Sequence, residues 1–211
     1  MTPAQFLRDL EADRSLAVVR TDAISDAADL CQALADGGIR TVELTFTTPD
    51  VLTHLRRAAE TVARHGASIG IGTVLTADQA KAAIDAGARF LVTPGIRPDV
   101  AAVAAAAGIP FSLGAMTPSE VAQAQDLGSD VVKLFPARQL GPGYLKDFRG
   151  PYPGVRFLPS GGIDSTNGRG YLDAGAIAVC CGTSVVPPAS VASGNWEDIT
   201  VRATAFTGSL M

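Results

Sequence analysis

Lys133 lies in the stretch DVVKLFPA, residues 130–137, among Val131, Val132, Leu134 and Phe135. Burying an unpaired ammonium is costly, so a lysine inside an apolar strand needs a reason. Desolvation disfavours the charged form, so a lysine among apolar neighbours is partly free amine at neutral pH. A free amine attacks a carbonyl and forms a Schiff base, whose protonated form is an electron sink. A neighbouring C–C bond can then break to leave an enamine. Protons must move among water, carbinolamine, imine and substrate hydroxyl during this chemistry. Glu43, in TVELTF, is the candidate acid and base for that work. Arg20 could hold a carboxylate, with Thr73 and the backbone near Pro94 adding hydrogen bonds. Gly161, Gly162 and Gly182 sit in turns whose N–H groups could receive an anion at the far end of the same substrate. These residues suit an aldolase-type lyase for a 2-oxo acid with a distal phosphate.

Such a set works only if the fold converges it. Eight apolar runs recur along the chain: 16–20, 41–46, 68–74, 89–95, 109–115, 130–136, 155–162 and 176–184. Each is rich in Val, Ile, Leu or Phe, as strands buried on both faces should be. Helix-like segments lie between them. One starts near Ser25 and stops at Gly37, and another starts near Thr48 and stops at Gly66. TADQAKAAIDAG and TPSEVAQAQDLG each open on Thr and close on Gly, and RPDVAAVAAAAG and STNGRGYLDAG repeat the plan. A short helix over 4–12 precedes the first strand, and one last helix covers about 189–208.

The 211 residues allow eight βα units, and the fold expected is α/β, a single (β/α)8 TIM barrel over residues 1–211. An open doubly wound sheet is the alternative; the count of eight and the lack of GxGxxG after the first strand weigh against it. In a barrel, chemistry sits at the C-terminal strand ends and alternate residues point inward. Lys133 then shares a face with Val131 and Phe135, and Glu43 shares one with Thr45 and Thr47.

Bulk properties exclude other classes. The net charge of −4 gives no basic face for nucleic acid. No apolar run is long enough to span a bilayer, and the N-terminus lacks the pattern of a signal peptide. Cys31, Cys180 and Cys181 show no metal-ligand spacing, which reads as a reduced, cytoplasmic protein with no metal and no cofactor. Lys81, Lys146, His54, His65, Arg56 and Arg57 read as surface residues, Cys180 and Cys181 as buried strand residues, and Trp196 as packing.

Seven segments together resemble the 2-keto-3-deoxy-6-phosphogluconate (KDPG) / 4-hydroxy-2-oxoglutarate (KHG) aldolase family, a class I group. They are AVVR (17–20), VELTFTT (42–48), GIGTVL (70–75), FLVTPG (90–95), FSLGAMTPSE (111–120), VVKLFPA (131–137) and PSGGI (159–163). The resemblance implies cleavage of the phosphorylated six-carbon acid to pyruvate and glyceraldehyde 3-phosphate by a homotrimer without a metal. It implies Lys133 as the Schiff-base lysine and Glu43 as the proton-transfer residue. Thr73, Pro94 and Phe135 match positions lining the pyruvate pocket. Ser160, Gly161, Gly162 and the strand-eight turn, Gly182, Thr183 and Ser184, match the distal hydroxyl and phosphate region. Thr47 stands where many members have an arginine for the pyruvate carboxylate, and Arg20 is the expected replacement. The galactonate epimer and 4-hydroxy-2-oxoglutarate are alternative substrates. Two rivals remain on the same fold: a non-catalytic sugar-phosphate-binding barrel, and a sugar-phosphate isomerase or epimerase.

Overall fold

The computed structural model describes residues 1–64 and 66–211. Eight strands run β1 Ser15–Val19, β2 Thr41–Thr45, β3 Ser68–Gly72, β4 Leu91–Val92, β5 Phe111–Ala115, β6 Val131–Leu134, β7 Phe157–Pro159 and β8 Val179–Cys181. All ladders are parallel, in the order β7-β6-β5-β4-β3-β2-β1-β8. The remaining seam is bridged where the Ile177 N–H donates to the Phe157 carbonyl at 3.1 Å. The result is a TIM barrel, as the eight apolar runs require. The strands are shorter than those runs because several runs include the turn that follows the strand.

Ten helices are described: α1 Pro3–Asp13, α2 Ala27–Asp36, α3 Val51–Arg64, α4 Ala77–Asp85, α5 Pro98–Ala107, α6 Pro118–Asp126, α7 Ala137–Phe148, α8 Gly168–Asp173, α9 Pro188–Ser193 and α10 Trp196–Ser209. Local signals explain most boundaries. Thr117 and Glu120 form a reciprocal capping box at α6, and Thr76 caps α4. Asp26, not Ser25, caps α2, because its carboxylate accepts from two N–H groups of the first turn. α3 begins at Val51 rather than near Thr48. The single C-terminal helix expected over 189–208 is two helices, broken at Gly194 with φ 71°. α7 has no clean helical pattern in the sequence, since Gly141 (φ 72°) and Pro142 kink it. Among the described residues no helix is long and apolar enough to cross a membrane.

Strand alternation splits the core. Val42, Leu44, Ile69, Ile71, Leu113, Val132 and Leu134 face the helices. Leu16, Phe90, Val92, Val131, Leu158, Ala178 and Cys180 form an inner cluster with Phe6 and Leu10 of α1. α1 therefore stops the N-terminal mouth, with Phe6 stacked on Phe90 at 4.9 Å between ring centroids. That plug leaves the opposite mouth as the open one.

Surface assignments mostly hold. Lys81 is exposed beside Asp78, and Lys146, Arg56 and Arg57 are exposed. Trp196 packs against the outer core, and Cys180 and Cys181 are buried. His54 is half-buried on α3 rather than fully at the surface; His65 lies outside the described residues.

Candidate active site

Lys133 projects inward from β6 and is 5% exposed; Glu43 projects inward from β2 and is wholly buried. Their closest approach is 3.7 Å, from Lys133 Nζ to Glu43 Oε1, an ion-pair contact too long for a hydrogen bond. Among the described residues neither Glu43 oxygen has a hydrogen-bond partner. Burial pushes the Glu43 carboxyl above its usual value, and the charges of Lys133 and Arg20 offset only part of this. A carboxyl held this way keeps its proton more readily than an exposed one and can both give and take it during the reaction. Its place depends on β3: a Cβ at Gly72 would overlap Glu43 Oε1. Phe135 lies just past β6, with its ring centroid 5.6 Å from Lys133 Nζ.

Arg20 follows β1 directly. Its Nη1 donates to Thr47 Oγ1 at 2.5 Å and its Nη2 to Thr73 Oγ1 at 3.0 Å. Thr73 has φ 57°, in the left-handed region that a β-branched residue rarely enters. The turn carries its hydroxyl out of strand alternation and towards the guanidinium. Thr47 Oγ1 also pairs with Thr45 Oγ1 at 2.9 Å, so the Arg20 clip is tied back to the strand that bears Glu43.

These groups open into a cleft of about 150 Å³ at the C-terminal ends of the strands. Arg20, Thr73, Pro94, Lys133 and Phe135 line one part; Ser160, Gly161, Gly162 and Gly182 line the rest. Glu43 lies below the surface of the cleft, and Thr47 reaches it only through Arg20. Thr183 is exposed and does not line it. Ser184 points elsewhere: its hydroxyl donates to the Ile163 carbonyl at 3.4 Å and it lines a separate depression with Ser165, Val185 and Arg202. The strand-eight turn thus brings Gly182 to the cleft but not its two hydroxyls.

Val18, Cys180 and Cys181 also line the cleft and are not among the site residues expected from the sequence. Val18 and Cys180 share the inward parity of the flanking site positions, Arg20 and Gly182, which is the signal that could have found them; Cys181 has the opposite parity and no such signal. Burial pushes the Cys180 thiol up to about 12, so it stays protonated. Another depression, near Met1, Gln5, Asp9 and Arg89 at the plugged end of the barrel, contains no lysine. Among the described residues no three His, Cys, Asp or Glu side chains gather where they could hold a metal ion.

The family model for KDPG and KHG aldolase matches residues 8–202. The chain belongs to the KDPG and KHG aldolase family. It is 37% identical over 195 residues to 2-dehydro-3-deoxy-phosphogluconate aldolase of Treponema pallidum, covering 90% of each chain. It is 33% identical over 184 residues to the KHG/KDPG aldolase of Escherichia coli, covering 87% of this chain and 85% of the other. The KDPG aldolase of Legionella pneumophila, solved with pyruvate captured as a covalent carbinolamine intermediate, superposes with a TM-score of 0.87 at 32% identity over 98% of both chains. The open doubly wound sheet is thereby excluded for this family member.

Proposed function

We propose that this chain is a class I aldolase that cleaves 2-dehydro-3-deoxy-6-phosphogluconate to pyruvate and glyceraldehyde 3-phosphate. The observation that carries the reading is Lys133 at the cleft floor, 3.7 Å from a buried carboxyl without other partners among the described residues. The Lys133 amine adds to the C2 carbonyl, and protonated Glu43 supplies the proton that lets water leave, giving a protonated imine. The Glu43 carboxylate then takes the C4 hydroxyl proton. The C3–C4 bond breaks, its electrons flow to the imine nitrogen, and the aldehyde departs. Glu43 returns the proton to C3 of the enamine. Water activated by the resulting carboxylate hydrolyses the pyruvate imine and frees the amine.

Arg20, clipped by Thr47 and Thr73, takes the place of the missing arginine and binds the 2-oxo acid carboxylate. Pro94 and Phe135 wall the pyruvate half. Ser160 meets the distal hydroxyls, and the N–H groups of Gly161, Gly162 and Gly182 take the phosphate. Thr183 and Ser184 serve that region through backbone alone. The whole chain acts as one domain and assembles as a homotrimer, which light scattering at assay concentration checks. 4-Hydroxy-2-oxoglutarate shares the pyruvate half, and the name of the E. coli relative covers both activities.

Incubation with pyruvate and borohydride, then peptide mapping, tests the reading directly. An adduct on Lys133, and none on Lys81 or Lys146, supports imine chemistry. Folded protein without an adduct makes Lys133 a structural charge and removes the proposal. An isomerase or epimerase would give no adduct and no pyruvate.

A further inference from the structure

The two ends of the cleft differ in charge. Arg20 and Lys133 serve the carboxylate and carbonyl end, while the opposite wall of Gly161, Gly162 and Gly182 contributes no charged side chain to the lining. A phosphate dianion there would meet N–H dipoles alone. One cation lies against that wall. Arg138, the second residue of α7, is exposed, and its side chain covers Gly162 so closely that a Cβ there would overlap Nε. Its own N–H donates to the Gly161 carbonyl at 3.0 Å, so turn and arginine are held as one unit. Among the described residues no carboxylate pairs with its guanidinium within 4.0 Å. Asp164 is close enough to feel its charge, yet Asp164 Oδ1 already accepts from the Thr166 N–H and hydroxyl at 2.8 and 2.6 Å.

We propose that Arg138 is the cationic phosphate-gripping residue of this enzyme and sets its preference for phosphorylated over unphosphorylated 2-oxo acids. The inference rests on the aldolase reading above and extends it to a residue outside the cleft lining. A planar guanidinium lying against a glycine of that wall can meet a phosphate in bidentate fashion, which a lysine cannot reproduce. Gly162, with φ 75°, is the position that permits this, because any side chain would displace the arginine.

The test compares wild type, Arg138→Ala and Arg138→Lys on 2-dehydro-3-deoxy-6-phosphogluconate and on its unphosphorylated form, with pyruvate release as the readout. The ratio of kcat/KM for the two substrates should fall about 10- to 100-fold in Arg138→Ala, mainly through KM, and recover in part in Arg138→Lys. Inorganic phosphate should inhibit wild type competitively and the alanine variant more weakly. An equal loss on both substrates would mark Arg138 as merely structural, and an unchanged ratio would overturn the proposal. So would a wild type that does not distinguish the two substrates, while leaving the aldolase reading intact. Failure of that parent reading looks different: wild type would form no borohydride-trapped adduct on Lys133.

Discussion

At the scale of single residues, Glu43 is a carboxyl buried against its own desolvation cost. It is fully buried, and among the described residues its oxygens lack hydrogen bonds and its nearest cation is 3.7 Å away. Its folded value is raised, so in the window above the ordinary carboxylate value the folded chain holds a proton that the unfolded chain has lost. The stability it contributes is therefore fully present below the unfolded value and is lost as pH rises through the folded one. Glu43→Gln cannot ionise, so its denaturation midpoint should decline less across that window than that of wild type; parallel profiles would contradict the assignment. The same variant should lose about 10²- to 10⁴-fold in kcat, the usual range for removing a general acid and base. Arg20→Ala should raise KM for the 2-oxo acid by about 10- to 100-fold, since it removes a charge-assisted contact. Adding Thr47→Arg to that variant should restore binding, and an unchanged KM in Arg20→Ala would end the carboxylate assignment.

At the scale of elements, the site is built by neighbouring strands that supply absence as well as side chains. β2 brings Glu43 inward only because β3 offers Gly72 opposite it. Gly72→Ala should therefore move the carboxyl rather than simply destabilise the barrel. Steady-state kinetics should show kcat falling by at least about tenfold, while the melting temperature falls by only a few degrees. A variant with full kcat would mean that the Glu43 position is not critical. The β3–α4 turn contributes differently: left-handed Thr73 spends backbone strain to hold the Arg20 guanidinium.

At the scale of the whole molecule, the barrel is asymmetric along its axis. α1 fills one mouth with Phe6 and Leu10, and the chemistry occupies the other. Phe6→Ala should cost about 3–5 kcal/mol of stability, the range for removing a large buried aromatic, and chemical denaturation measures it. The pyruvate adduct on Lys133 should still form in the folded fraction, because Phe6 is at the far end. Loss of the adduct in folded variant would show that the plug also shapes the site.

Hydrophobic periodicity determined the eightfold plan and the inward parity of Lys133 and Glu43, and the Thr–Gly punctuation determined the caps of α4 and α6, because those follow from contacts within one or two turns of chain. α7 was not legible, since Gly141 and Pro142 erase its local pattern while packing of Leu145 and Phe148 keeps the helix. The site was legible where a side chain follows strand alternation, as for Lys133, Glu43 and Arg20. It was not legible where a turn redirects the chain. Thr73 reaches Arg20 through a left-handed residue, Ser184 turns away to the Ile163 carbonyl, and Arg138 comes to lie over Gly162 from a different βα unit. Those outcomes depend on contacts between segments far apart in sequence, and no local pattern encodes them. Residue types and spacing thus determined which chemistry is available, and tertiary packing alone decided which polar groups meet at the cleft.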